Sequence, residues 1–388
     1  MATVLWLAGC KSVPPATQSH PPSTEKPASV TPPVPAPAQP YALLKAASWT
    51  DLPGLESEDW LASWSAWLQS CQGLKNKPDW QLVCATAQNV NKDAQAIQAY
   101  WQQYFNVYQT QQVDGAQQGL ITGYYQPVLK GARHASARYP VPLYKAPSDL
   151  ITVNLSALFP ELKYKRVRGR LQGQSLIPYY TRSEIEQSQS PLAGNELLWV
   201  NDPVEAFFLQ VQGSGIVELE NGERLPVGYE DQNGHPYQSI GKLLVDRGEM
   251  VASEASMQGI KTWAAQHPEQ LRGLLDANPS YVFFKLLPAG LSGPLGALGV
   301  PLTAARSLAV DPFYIPLGAP VYLASTYPNS QALLQQLMMA QDTGGAIKGG
   351  VRADVYWGDG ESAGKLAGAM RQQGQLWVWL PKTFPLPH

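Results

Sequence analysis

Residues 340–364 read Ala340-Gln341-Asp342-Thr343-Gly344-Gly345-Ala346-Ile347-Lys348-Gly349-Gly350-Val351-Arg352-Ala353-Asp354-Val355-Tyr356-Trp357-Gly358-Asp359-Gly360-Glu361-Ser362-Ala363-Gly364. Three aspartates, Asp342, Asp354 and Asp359, stand among glycines in this one window. Val351–Tyr356 reads as a strand, and glycines around it let backbone come close to a ligand. A carboxyl group at a strand end beside Val355 and Trp357 is partly desolvated, which raises its pKa. A general acid that must stay protonated near neutral pH is made in this way. A plainer reading of the same residues stands beside it: Asp359-Gly360 as a turn and Asp342 as a cap for loop amides.

Outward from this window the pattern is mostly β. Short runs broken by Gly, Pro and Asn are read at Leu120–Val128, Val141–Tyr144, Arg168–Gln172, Gly215–Leu219 and Glu223–Val227, with an Asn221-Gly222 turn between the last two. Further runs are read at Tyr281–Leu286, Val321–Ala324, Gln336–Gln341 and Gln375–Leu380. Helices are expected where apolar residues recur at helical spacing: Trp60, Leu61, Trp64, Trp67 and Leu68 after Ser57-Glu58-Asp59, then Ala94, Ile97, Trp101, Tyr104 or Phe105, and Tyr108. Asp202-Pro203 is a helix entry, an N-cap carboxylate followed by Pro at the first helical position. Three more helices are expected over 239–249, 256–266 and 268–277, and a short one over 362–372. No repeat of fixed period is present. The fold class is mainly β with a helical N-terminal region.

Composition narrows the chemistry. The chain has 388 residues, 44% of them apolar, enough for two ordinary domains with cores. Lys and Arg number 28 against 30 Asp and Glu, charged residues are only 15%, and no basic run occurs, so no footprint for nucleic acid exists. Twelve Trp and eighteen Tyr suit core filling and also the flat faces of neutral sugars. The five His lie far apart and form no ligand pair, so no metal is expected. Gly213-Ser214-Gly215 lacks the flanks of a nucleophile elbow. Asp342-Thr343-Gly344 looks like an aspartic-protease triplet, but that mechanism needs two such carboxylates and no second triplet occurs.

Residues 1–10 form a short apolar run ending in Leu7-Ala8-Gly9-Cys10, which resembles a bacterial lipobox. Cleavage before Cys10 and lipidation of its thiol and amine would supply the several acyl chains that durable anchoring requires. No Lys or Arg precedes the run, so the start is expected to lie upstream of Met1. Residues 11–40 hold ten Pro and three charged side chains and read as an extended tether. If Cys10 directs the chain to an oxidising compartment, Cys71 and Cys84 would pair in a disulfide contributing roughly 3 kcal/mol; two buried free thiols are the alternative.

The window that opened this section resembles the three-aspartate domain of the membrane-bound lytic murein transglycosylase A family, on Ala-Gln-Asp, Gly-Gly-Ala-Ile-Lys-Gly, Arg-Ala-Asp and Trp-Gly-x-Gly. Thr122–Pro127, Arg168–Arg170, Pro178–Arg182, Asp202–Gly215, Asn278–Phe284, Gly296–Thr303 and Arg306–Asp311 are similar to that family in the same order. The resemblance covers roughly residues 50–382. It implies a double-psi β-barrel carrying the aspartates, a second β-barrel inserted in it, and a groove between them. The expected division is a signal remnant over 1–10, a tether over 11–40, a helical part of the catalytic domain over 41–119, an inserted substrate domain over 120–275 and the catalytic barrel over 276–388.

The resemblance implies an exotransglycosylase, a lyase that opens the β-1,4 bond between N-acetylmuramic acid and N-acetylglucosamine and leaves 1,6-anhydromuramoyl ends. The sugar's own C6 hydroxyl attacks, so one carboxyl group serves as acid and then base, and no cofactor is expected. Matching the motif puts that role on Asp354, with Asp342 a supporting carboxylate and Asp359 orienting the site or shaping a turn. Tyr124, Gln126, Gln210, Gln212, Gly213, Ser214 and Lys348 are chosen for the groove because amides, hydroxyls and rings suit N-acetyl groups and sugar faces. One of each ring pair Tyr124/Tyr125 and Tyr179/Tyr180 is expected to face the core. The expected partners are peptidoglycan glycan strands, the membrane through the lipid anchor, and cell-wall synthase complexes. A monomer on the periplasmic side of the outer membrane is expected. A tethered glycan-binding or scaffolding protein without turnover is the alternative, since fold alone does not give function.

Overall fold

The computed structural model describes residues 39–162, 165 and 167–387, so the Cys10 lipidation call and most of the 11–40 tether lie outside the described residues. Two β systems organise the chain. The first is an eight-stranded sheet in the order Leu44–Ala47, Phe105–Thr110, Arg371–Pro381, Pro320–Thr326, Leu333–Asp342, Ser307–Val310, Ala353–Asp359, Gly119–Gln126. Arg371–Pro381 also pairs with Gly119–Gln126, which closes six of these strands into a barrel. Two of its contacts are parallel, Ser307–Val310 with Leu333–Asp342 and Ala353–Asp359 with Gly119–Gln126. Strands crossing a barrel in this way are buried on both faces and read as apolar runs: Ser307, Leu308, Ala309 and Val310 are all buried.

The second system is a six-stranded sheet in the order Val282–Leu286, Arg224–Gln232, Ser214–Leu219, Val128–Ala132, Glu196–Val200, Val141–Tyr144. It has its own core around Leu129, Leu143, Leu198, Leu209, Val217, Val227 and Phe284. A separate three-stranded sheet contains Ile151–Thr152, Arg168–Gln172 and Ser175–Ile177.

The change-over between the two main sheets falls at Pro127. Gly119–Gln126 belongs to the barrel, and the six-stranded sheet begins at Val128. Pro127 divides the apolar run that the sequence shows as continuous, because it has no N–H to carry a ladder onward. At the other end Val282–Leu286 pairs with Arg224–Gln232, so the six-stranded sheet extends past residue 275.

The N-terminal helices are Trp60–Leu74, Pro78–Ala87 and Ala94–Tyr104. Asp59 caps the first, accepting from the Ala62 N–H at 3.0 Å, and Asp93 caps the third. Their buried rings Trp64, Trp67, Tyr100 and Trp101 join Trp379 of the barrel in one core. Glu58, whose side chain is fully buried, accepts from Arg306 Nη1 at 2.8 Å and from the Leu337 N–H at 2.8 Å. That ion pair fastens the helical region to the barrel, and removing either partner alone would strand a buried charge. Cys71 and Cys84 are joined by a disulfide that links the first two helices. The third helix ends at Tyr104 rather than at Tyr108. Phe105–Thr110 is a strand between Leu44–Ala47 and Arg371–Pro381, since Phe105 and Val107 alternate with an exposed Asn106 and the barrel edge supplies partners.

Candidate active site

Asp354 sits on Ala353–Asp359 in parallel register with Thr122 of the neighbouring strand. Cross-strand neighbours point to the same face, and Thr122 Oγ1 donates to Asp354 Oδ1 at 2.6 Å. Burial pushes the Asp354 carboxyl up to about 6 and outweighs the Thr122 hydrogen bond and the Arg352 guanidinium, which favour the ionised form; the charge of Asp342 pushes the same way as burial. At neutral pH such a group spends an appreciable fraction of the time protonated.

Asp342 ends the strand Leu333–Asp342. Its Oδ2 accepts from the Tyr124 hydroxyl at 3.0 Å and its Oδ1 from the Ala297 N–H at 2.9 Å. Tyr124 is 7% exposed, and burial together with the charges of Asp342 and Asp354 holds its phenol far above the usual range. The phenol is therefore a fixed donor. Gly119–Gln126 thus supplies a hydroxyl donor to each of the two carboxylates, from Thr122 and Tyr124, two residues apart on one face.

Asp354, Asp342 and Tyr124 line a cleft of about 590 Å³ whose opposite wall comes from the six-stranded sheet and its helix Pro203–Gln212. Asp202 caps that helix on the Val204 and Glu205 N–H groups, and Gly213 ends it at φ 78°, a left-handed turn that favours glycine. Gln210, Gln212, Gly213 and Ser214 therefore cluster at the helix C-terminus, in the cleft wall. Arg168, Tyr229, Lys285, Gly296 and Ala297 complete much of the rest. Among the described residues no group of three metal-ligating side chains exists, and no helix is long and apolar enough to cross a membrane.

Comparison with known proteins agrees with this layout. A family model described as the MltA specific insert domain matches residues 120–285, and one described as the 3D domain matches residues 306–380. The membrane-bound lytic murein transglycosylase A of Escherichia coli K12 is 36% identical over 274 residues, which is 68% of this chain and 66% of that protein. The chain belongs to the membrane-bound lytic murein transglycosylase A family. A crystal structure of MltA from Neisseria gonorrhoeae matches with a TM-score of 0.75 at 36% identity, covering 88% of this chain and 93% of that one. A crystal structure of Escherichia coli MltA with bound chitohexaose matches with a TM-score of 0.66 at 25% identity, covering 89% and 96%. The alignment spans just under two thirds of the Escherichia coli relative's length.

For this MltA-family member the structure gathers Asp342, Asp354, Tyr124, Gln210, Gln212, Gly213 and Ser214 around one cleft. Three other chosen residues are absent from its lining. Lys348 is exposed and its Nζ lies 3.8 Å from Asp311 Oδ1, drawn to a buried carboxylate instead of the cleft. Gln126 is 6% exposed, opposite Asp359 at the end of the strand pairing. Asp359 is exposed at the N-cap position of the helix Gly360–Ala369 and makes no side-chain capping bond. A register shift between Tyr356 and Asp359, with Gly358 at φ 105°, interrupts the strand pairing there and leaves Asp359 at the exposed start of the helix. Composition had no means of finding Thr122, whose importance comes only from strand register.

Proposed function

We propose that this protein cleaves the β-1,4 bond between N-acetylmuramic acid and N-acetylglucosamine in peptidoglycan, with Asp354 as the single acid and base. The observation that carries this reading is the carboxyl of Asp354, raised to about 6, in the wall of a cleft large enough for several sugar atoms to be enclosed. Protonated Asp354 gives its proton to the bridging oxygen as the bond from C1 to that oxygen breaks. The resulting carboxylate then takes the proton from the C6 hydroxyl of the same sugar as O6 bonds to C1. The ring closes as a 1,6-anhydro sugar, and Asp354 regains the proton it gave. One carboxyl group suffices because the nucleophile belongs to the substrate, whereas a hydrolytic glycosidase needs two.

Asp342 supports this cycle from a fixed position. Both of its oxygens accept protein donors, so it acts through its charge, helping to keep Asp354 protonated and favouring positive charge developing at C1. Cys10 is the residue we assign to lipid attachment on the periplasmic side of the outer membrane. Incubation of the purified protein with murein sacculi followed by mass analysis tests the chemistry. Anhydro ends are expected; reducing ends would make it a hydrolase, and no soluble product would make it a binding protein.

A further inference from the structure

The two glutamines at the end of Pro203–Gln212 are held in the same way by unrelated parts of the chain. Gln210 Oε1 accepts from Arg182 Nη2 at 2.6 Å and from the Val282 N–H at 3.3 Å, which uses both of its lone pairs. Gln212 Oε1 accepts from the Tyr125 N–H at 3.0 Å. Each carbonyl end is tied to the scaffold, so the NH2 end is what each side chain has left to offer. The Gln210 NH2 hydrogen-bonds to buried Tyr281, and of its two hydrogens that leaves one.

Arg182 is itself held firmly. It is 1% exposed, donates to the Asn278 and Ser280 carbonyls and to Glu186 Oε1, and its guanidinium lies 4.6 Å from the Phe207 ring centre and 5.0 Å from that of Tyr281. A guanidinium has donors only, so it accepts no other orientation of the Gln210 amide. We infer that Arg182 is a positioning residue that fixes Gln210 as a donor, so that this cleft wall selects ligands by the carbonyl oxygens of their acetamido groups. The inference rests on the glycan-cleaving reading for its ligand class.

The test is a binding measurement, independent of turnover, with chitohexaose and its fully de-N-acetylated hexamer as the two probes. The native protein is expected to bind chitohexaose at least tenfold more tightly. Gln210→Glu keeps an acceptor for Arg182, and hence the fold, but presents an oxygen where a donor stood. It should lower that ratio at least tenfold with no loss of Tm. Arg182→Lys frees the amide to turn and should lower the ratio about threefold in the native background and not at all alongside Gln210→Leu. A ratio unchanged by Gln210→Glu, or an Arg182→Lys effect equal in both backgrounds, overturns the inference. Native protein that prefers neither probe also overturns it. Failure of the cleavage reading shows separately, as sacculi that yield no anhydro ends.

Discussion

The two walls of the cleft solve different problems with different elements. The barrel wall presents titratable groups on paired strands, where parallel register sets Thr122 against Asp354 and Tyr124 reaches Asp342. The opposite wall presents neutral amides at a helix end, each tied at its carbonyl by scaffold donors. Strand register fixes where a proton-carrying group stands, as acid and base chemistry requires. Amides held at one end supply directional hydrogen bonds and no charge, which is what holding a neutral sugar requires. On the proposed reading, chemistry and recognition fall on separate folding units that face each other across the cleft.

The sharpest break between the walls is Asp354→Asn, which keeps an acceptor for Thr122 and removes the proton carrier. We expect loss of turnover by about a thousandfold or more, with binding of chitohexaose retained; residual turnover within tenfold of native would remove Asp354 from its role. The same variant has a stability signature. Burial raises the folded carboxyl to about 6, so between about pH 4 and 6 the folded chain holds a proton that the unfolded chain has released. Stability attached to this group is therefore full below about pH 4 and is lost as pH rises through about 6. Asp354→Asn should be more stable than native at pH 7.5, by on the order of 1 to 3 kcal/mol, and the gain should vanish near pH 3.5 in denaturant titrations.

A pH profile separates the walls next. If Asp354 must carry a proton to start the reaction, kcat/KM falls tenfold per unit above about pH 6. Gln210→Glu should change affinity without moving that midpoint. A midpoint near 4 would mean that another group, or a fully ionised Asp354, limits the rate.

Much of this layout is legible in the chain. The aspartate window and the helix entry at Asp202-Pro203 are local signals, and the structure carries them on a strand and at a helix start. What local spacing does not contain is register and change of sheet. Thr122 matters only because its strand lies parallel to Asp354, across 232 positions of sequence. The division at Pro127 hides inside one apolar run, and Phe105–Thr110 continues a helical spacing until the barrel edge claims it as a strand. Lys348 fits a glycan-contact motif, yet buried Asp311 attracts it away.

Tyr124→Phe tests the barrel wall more finely. It removes one hydroxyl that donates to Asp342 and keeps the ring against Tyr356, 5.3 Å between centres. A hydrogen bond to a charged group contributes about 1.5 to 3 kcal/mol, so kcat should fall roughly tenfold or somewhat more. KM for the glycan should change by less than about twofold, because recognition rests on the other wall. An equal change in both would make Tyr124 a sugar contact rather than a support for Asp342.

The smallest expected effect falls on the third aspartate. Asp359 shares a strand with Asp354, but a register shift separates it from Tyr356, it is exposed, and it makes no capping bond to the helix that follows. The turn it occupies is shaped by its neighbours: Gly358 has φ 105° and Gly360 has φ 77°, conformations that a side chain rarely adopts. A Cβ on Gly358 would also come within 3.2 Å of the Ala304 Cβ. Asp359→Ala should therefore change kcat/KM by less than about threefold, whereas Gly358→Ala should lower stability by about 1 kcal/mol or more. A large loss with Asp359→Ala at unchanged stability would bring Asp359 to the substrate and extend the substrate path further along this strand.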